Sequence, residues 1–334
     1  MDLQFFLAAA TLVGVYYLLA AGVNLQYGVA GVLNLGVHGV FAVGAYGYGM
    51  LTRPEGSPTA FAFGLPWPIA AMVAVTAAAL VSVVLIAPAL LVDSRIRGPY
   101  LVPIITLAAA ETLIVLLSSN NDVAGGFAGM FGVPQPLSSM TVEMGPDGFA
   151  WTYLGLVILA GALVTLLLFA LRNSPFGLLA RSSRDDEVEV RSLGFDPVRY
   201  QLVAIAVGGG IMGLAGVLWA GYLTTIQPSG FTIQETLLVL IAVIAGGRGS
   251  IPGCLVGSVV VFGALNQATR LLPNELLSTV PGTRQILLGV ILILLLRYRP
   301  TGIIPDRPRR YRRALRAAQM NGPLQKEQPP VGES

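Results

Sequence analysis

Three polar residues inside long apolar stretches are the first candidates for chemistry: Asn34, His38 and Glu111. Polar groups are costly within a membrane and by default suggest function, such as contact with a polar solute. Asn34 and His38 are four residues apart, which predicts one shared helical face. They either look into a pore or hydrogen-bond neighbouring helices. Glu111 is predicted in mid-span, where it pairs with His38 or a loop arginine, contacts a solute or lies in a wet cavity.

Residues 172–200 form a polar, charge-mixed island between two long apolar segments. A proline turn is followed by a predicted helix from Arg184 through Leu193, and the backbone freedom of Gly194 suits the end of that helix. Glu187 and Arg191 have the i,i+4 spacing of a stabilising pair. The island carries no catalytic constellation, and we expect it to lie on a membrane surface and to receive force from a partner protein.

The composition places the chain among polytopic membrane proteins. Hydrophobic residues make up 54% of the sequence and charged residues 11%, with a mean hydropathy of +0.74, whereas soluble domains are about 25% charged. The predicted fold is an all-α transmembrane bundle of about 8–10 spans, since one span needs about 20 apolar residues. Glycines within the second span and the short seventh span indicate broken or re-entrant segments. The predicted spans are 5–23, 28–51, 68–91, 100–118, 152–171, 201–221, 235–247, 253–271 and 285–297.

The arginines predict the orientation of this bundle. They concentrate in the loops 92–99 and 172–200 and in the tail from 298, which the positive-inside rule assigns to the cytoplasm. The loop 119–151 has neither lysine nor arginine and is assigned to the outside. Residues 1–305 are therefore predicted to form the membrane domain, with the amino terminus outside. Residues 306–334 are predicted to be a basic and then disordered cytoplasmic tail that contacts anionic lipid and no nucleic acid.

The sequence argues against an enzyme. The P-loop pattern G-x-x-x-x-G-K-[ST] is absent, and the only lysine, Lys326, lies in the polar tail. A single histidine and a single cysteine, Cys254, give neither a metal cluster nor a disulfide framework. No catalytic residue, metal or bound cofactor is expected.

Several short motif blocks follow one another along the chain in a fixed order. They are Asn34–His38 with Gly44–Tyr46, Arg95–Leu101 with Thr106-Leu107 and Glu111, Gly125-Gly126 with Gly129, Ser174–Gly177, Leu193-Gly194, Gln227-Pro228 with Phe231, Gly246–Ser250 with Gly253, and Arg299–Gly302. With these blocks the chain resembles the permeases of branched-chain amino acid ABC transporters over about residues 20–305, and the order and spacing of the blocks make the resemblance specific. One departure is that Glu189 and Val190 stand where the family usually has two alanines.

The resemblance implies a permease subunit in the bacterial inner membrane. It implies a second permease, two cytoplasmic ATPases that bind ATP and Mg, and a periplasmic or extracellular binding protein as partners. The segment 174–197 would be the coupling helix that docks on an ATPase, with Asn34, His38 and Glu111 as translocation-path candidates. The expected coupling residues are Arg181, Arg184, Asp185, Glu187, Arg191, Leu193 and Gly194, and the expected structural glycines are Gly98, Gly246, Gly247 and Gly249.

Three functions remain open from the sequence. The first is ATP-driven import of branched-chain or related apolar amino acids by alternating access. The second is import of urea or short amides, since related systems share the permease pattern. The third is ion-coupled secondary transport, for which Glu111 is the strong candidate carboxylate but which would leave the island without a purpose.

Overall fold

The computed structural model describes residues 3–54, 57, 61–92, 98, 100–137, 145–265, 289–290, 297 and 302–306. Within these residues six helices are long and apolar enough to cross a membrane, which confirms the predicted polytopic helical bundle. The helices are α1 Leu3–Val23, α2 Val37–Thr52, α3 Trp67–Leu91, α4 Leu101–Ser119, α5 Asn121–Ala124, α6 Gly145–Asn173, α7 Pro175–Asp185, α8 Glu187–Ser192, α9 Pro197–Leu223, α10 Ile233–Gly246 and α11 Ile251–Ser258. Two strands, β1 Met130–Phe131 and β2 Thr225–Ile226, form one antiparallel pair.

The central helix of the bundle is α9, which packs against α1, α2 and α3. Small residues allow this contact because helices in lipid associate through close backbone approach. A Cβ added at Gly44 of α2 would lie 2.2 Å from the Gly213 carbonyl oxygen. One added at Gly216 would lie 2.3 Å from the Phe41 carbonyl oxygen. The glycines of α9 thus bring the backbones of α2 and α9 into direct contact.

The predicted second span, 28–51, is interrupted in the structure. Helix α1 continues as a π-helix over Asn24–Val29, and residues 31–36 are irregular before α2 begins. The prediction that Asn34 and His38 share a helical face is therefore wrong. Gly31 has a φ of +78°, so the helix cannot continue through it. The Asn34 side-chain oxygen accepts a hydrogen bond from the Gly36 amide at 2.8 Å. Asparagine favours this local turn over continued helix.

The remaining predicted spans differ in how much of each is described. Helices α1, α3, α4, α6 and α9 lie at the predicted positions, and α10 covers the short span 235–247. The span 253–271 begins as α11 and continues as a π-helix over Val259–Leu265. Its remainder, most of 285–297 and the tail beyond 306 lie outside the described residues.

The two ends of the bundle gather different loops. At one end β1 pairs with β2, and the Tyr48 hydroxyl donates to the Pro134 carbonyl at 3.0 Å. At the other end the Arg184 guanidinium donates to the Gly28 carbonyl, and the Arg172 guanidinium pairs with Asp306. Loops that the arginine pattern assigns to opposite sides of the membrane therefore lie at opposite ends.

This arrangement predicts opposite accessibility for cysteines at the two ends. In a Cys254→Ser background, Arg191→Cys should react in intact cells only with membrane-permeant thiol reagents. Phe127→Cys, at a position that is 84% exposed, should also react with impermeant reagents. Cys254→Ser alone is the control for background labelling. Labelling of both positions by the impermeant reagent would contradict the predicted orientation.

Candidate transport path and coupling segment

A chain of buried polar groups runs through the bundle beside α9. The Gln26 amide nitrogen donates to the Ile205 carbonyl at 3.0 Å and to the Ser82 hydroxyl at 3.3 Å. The Gln26 side-chain oxygen accepts from the Asn34 amide at 3.0 Å. Buried amides are tolerated in a membrane when they are hydrogen-bonded in this way. The structure thus places Asn34 in a network that joins the irregular segment to α3 and α9.

His38, four residues beyond Asn34 along the chain, lies beside Glu111 of α4. The His38 side chain is fully buried, and its Nδ1 lies 2.9 Å from the Thr236 hydroxyl oxygen. The same hydroxyl accepts from the His38 backbone amide at 3.1 Å. His38 Nε2 lies 3.5 Å from a Glu111 carboxylate oxygen. With Nδ1 held by Thr236, the ring presents Nε2 to the carboxylate.

The Glu111 side chain opens onto the surface of the described bundle. It lies near the middle of α4 and is 51% exposed. Thr106 and Ala110, on the opposite face of α4, are buried. An ionised carboxylate at mid-span is costly in lipid. The exposed residues of α4 are Ile104, Ala108, Glu111, Thr112, Val115, Leu116 and Ser119.

The predicted coupling helix is two short helices. The expectation of one helix from Arg184 through Leu193 is wrong, because α7 ends at Asp185 and α8 begins at Glu187. Asp186 lies between them in an extended conformation with φ −153°. Its carboxylate accepts from the amides of Val188 and Glu189 at 2.8 and 3.0 Å. An aspartate at this position caps a new helix and so favours the break.

The second helix ends in a Schellman motif. The Gly194 amide donates to the Arg191 carbonyl, and the Phe195 amide donates to the Val190 carbonyl. Gly194 has a φ of +84°, which is the left-handed conformation that glycine adopts without strain. Val190 is buried, whereas Val188 and Leu193 are 73% and 68% exposed. The Glu187 carboxylate accepts from the Gln201 amide at 2.8 Å, which ties α8 to α9.

The arginines of α7 turn inward, toward the bundle. Arg181 donates to the carbonyls of Gly177 and Arg172 at 2.9 and 2.7 Å. Arg184 donates to the Gly28 carbonyl of the π-helix and, at 2.9 Å, to the Asp185 carboxylate. Partial burial lowers the pKa of Arg181, while the nearby Asp306 carboxylate opposes that effect. The expected coupling residues thus include two inward arginines of α7, Arg181 and Arg184. Asp185 at the end of α7, Arg191 of α8 and Leu193 just beyond it are exposed.

The turn of residues 247–250 packs against the π-helix and the segment 302–306. Gly247 and Gly249 have φ values of +127° and +79°, and a Cβ at Gly246 would lie 2.0 Å from the Gly253 carbonyl oxygen. The Asn24 side chain accepts from the Gly249 amide at 2.8 Å and donates to the Ser250 carbonyl at 3.2 Å. A Cβ added at Gly98 would have no described atom within 4 Å, so the described structure gives this glycine no steric role.

The family model for the permease component of the branched-chain amino acid transport system matches residues 5–296. The chain belongs to this family. The permease is 30% identical over 316 residues to the high-affinity branched-chain amino acid transport system permease protein LivM of Salmonella typhimurium strain LT2, covering 89% of this chain and 69% of the relative. It is 27% identical over 323 residues to the probable LivM of Methanocaldococcus jannaschii, covering 88% and 92%. A LivH permease of Salmonella typhimurium is 28% identical over 144 residues, covering 43% and 44%. No solved structure gave a significant match.

Several residues that organise the permease were absent from the sequence-based candidates. They are Asn24, Gln26, Thr236 and Asp306. Asn24 and Gln26 are polar groups in an apolar segment, the same signal that singled out Asn34. Thr236 and Asp306 gave no such signal, because their importance comes from partners far away in the sequence.

Proposed function

We propose that the permease is the membrane subunit of an ABC importer for branched-chain or related apolar amino acids. Its family membership and the branched-chain amino acid transport named for its LivM relatives support this substrate class. The single observation that carries the coupling mechanism is the inward anchoring of α7, because it joins an exposed segment to the interior of the bundle. The proposed partners are a second permease, two ATPases that bind ATP and Mg, and an external binding protein.

The proposed path of force begins at α8. The ATPase would contact the exposed surface around Val188, Arg191 and Leu193, whose mixture of apolar and charged groups suits a protein groove. Displacement of α8 reaches α9 through the Glu187–Gln201 hydrogen bond. Displacement of α7 reaches the π-helix through the bond from Arg184 to Gly28. Motion of the docked segment is thus transmitted to two spans at once.

The proposed translocation path runs along the exposed face of α4. Glu111 supplies a carboxylate on this face, and His38 supports it from behind at 3.5 Å. A second permease opposite this face would enclose a path that has polar groups at mid-membrane. The path need not bind the solute tightly, because selectivity can reside in the external binding protein. Asn34 is assigned to the supporting network of Gln26, rather than to direct solute contact.

Uptake measurements distinguish the proposed function from its alternatives. The chain would be reconstituted in proteoliposomes with the ATPases, second permease and binding protein encoded by neighbouring reading frames. We expect uptake of leucine, isoleucine or valine. This uptake should require ATP on the side of the membrane where the ATPases are bound. The control is the same preparation without the binding protein. Preferred uptake of urea or acetamide would replace the substrate assignment. Uptake driven by an ion gradient without ATP would overturn the ABC mechanism.

A further inference from the structure

An open cavity of about 890 Å³ lies at the arginine-rich end of the bundle. It is bounded by the end of α6, one side of α7 along its length, the turn of residues 247–250 and residues 304–306. Four arginines and two aspartates contribute to its walls. These residues are Arg172, Arg181, Arg184, Arg248, Asp185 and Asp306.

The cavity has an excess of positive charge. Four guanidinium groups face two carboxylates, which leaves two positive charges uncompensated among the lining residues. Asp306 pairs with Arg172, and its other oxygen lies 3.9 Å from Arg181. Arg184 pairs with Asp185. Arg248 lies 4.0 Å over the Tyr27 ring and donates through Nε to the Tyr27 carbonyl. Its two terminal nitrogens make no hydrogen bond to the described residues, so they are available to an anion.

An apolar track leads to this charged cavity along α6. Leu159, Leu163, Leu166 and Phe169 are exposed and are spaced by four, three and three residues, which places them on one side of the helix. Phe169 also lines the cavity, and Leu178 of α7 adds a second exposed apolar side chain to the wall. The helix therefore joins a surface suited to acyl chains with a pocket suited to phosphate.

We propose that this cavity binds the headgroup of an anionic phospholipid, with its acyl chains along α6. The phosphate would accept charge-assisted hydrogen bonds from the arginines, Arg248 above all. Basic pockets between spans at the cytoplasmic surface suit such headgroups. An acidic protein segment could satisfy the arginines but would leave the apolar track unexplained. The lipid would bridge α7 and the turn of residues 247–250, and thereby stabilise the anchored end of the coupling segment.

The test measures lipid that stays bound to the full-length chain, purified with its associated subunits. Phosphatidylglycerol or phosphatidylcholine is added in detergent at matched concentration, and retained lipid is counted by native mass spectrometry. We expect preferential retention of phosphatidylglycerol. Arg248→Gln should lower the retention of phosphatidylglycerol about fivefold. This is the factor expected when one arginine no longer contacts an anionic headgroup. Arg248→Lys should stay within about twofold of the parent because it keeps the charge.

The matched control is Arg199→Gln, which removes an exposed arginine of the same cytoplasmic region outside the cavity. Equal losses in Arg199→Gln and Arg248→Gln would overturn the proposal in favour of nonspecific surface charge. Equal retention of both lipids would also overturn it. Competition by glycerol 3-phosphate at the concentration of the lipid would assign the pocket to a free phosphate compound. Absence of retained lipid from the complex, with cross-links from Arg248→Cys to an acidic ATPase segment, would overturn the proposal and assign the cavity to a protein contact.

Discussion

Gly194→Val is expected to lower solute transport and binding-protein-stimulated ATP hydrolysis about tenfold. A β-branched residue in the left-handed conformation costs about 1–2 kcal/mol, and 1.4 kcal/mol corresponds to a factor of about ten in an equilibrium. Helix α8 has only six residues, so it cannot absorb this cost through its own stability. The Schellman bonds to Arg191 and Val190 should be lost. The exposed surface of α8 would then be misaligned for docking on the ATPase.

The matched variant is Gly194→Asn, because asparagine enters the left-handed region more readily than valine. Both variants should insert at the parental level, since a Cβ at Gly194 has no described atom within 4 Å and α8 is not among the candidate membrane spans. Solute transport and binding-protein-stimulated ATP hydrolysis would be measured for each variant in proteoliposomes at equal protein content. Equal activity of the valine, asparagine and parent proteins would show that the end of α8 does not transmit force.

Hydropathy was enough to predict the described spans, and the arginine distribution agrees with the placement of the loops at two opposite ends of the bundle. Helices α3, α4 and α9 follow directly from apolar length, because a span must bury its backbone polar groups in its own hydrogen bonds. The interruption of the second span was also predictable from its glycines. The π-helix was not predictable, because its side chains bond to residues that are distant in sequence. One example is the Asn24 side-chain oxygen, which accepts a hydrogen bond from the Gly249 amide.

The candidate coupling site shows the same division between local and tertiary information. The exposed apolar residues Val188 and Leu193 and the end at Gly194 were predictable from the local pattern. The break at Asp186 goes against the helical i,i+4 spacing of Glu187 and Arg191, because the capping tendency of aspartate prevails there. The inward direction of Arg181 and Arg184 depends on the Gly28 carbonyl and on Asp306, and residue type alone cannot supply those partners.

Glu111→Leu is expected to lower transport about tenfold or more while leaving the folded permease intact. The exposed carboxylate at mid-span would cost about 2.5–3.5 kcal/mol if it faced lipid. We therefore expect the α4 face to adjoin a wet path and a second permease. Leucine removes the charge and the carboxylate that lies 3.5 Å from His38 Nε2. A charged hydrogen bond to a polar solute contributes about 1.5–3 kcal/mol, so its loss corresponds to about tenfold or more in transport. Because the side chain is half exposed, unfolding should be little affected.

Two further substitutions separate charge, hydrogen bonding and simple bulk at the α4 face. Glu111→Gln keeps the shape and a side-chain oxygen near His38, so transport between that of Glu111→Leu and the parent would assign part of the effect to that contact. Val115→Leu lies on the same exposed face one turn away and should transport normally. Uptake rates and thermal unfolding temperatures would be measured for each variant. If Glu111→Leu transported at the parental rate and unfolded at a higher temperature, the carboxylate would face lipid. The exposed α4 face would then form no part of the translocation path.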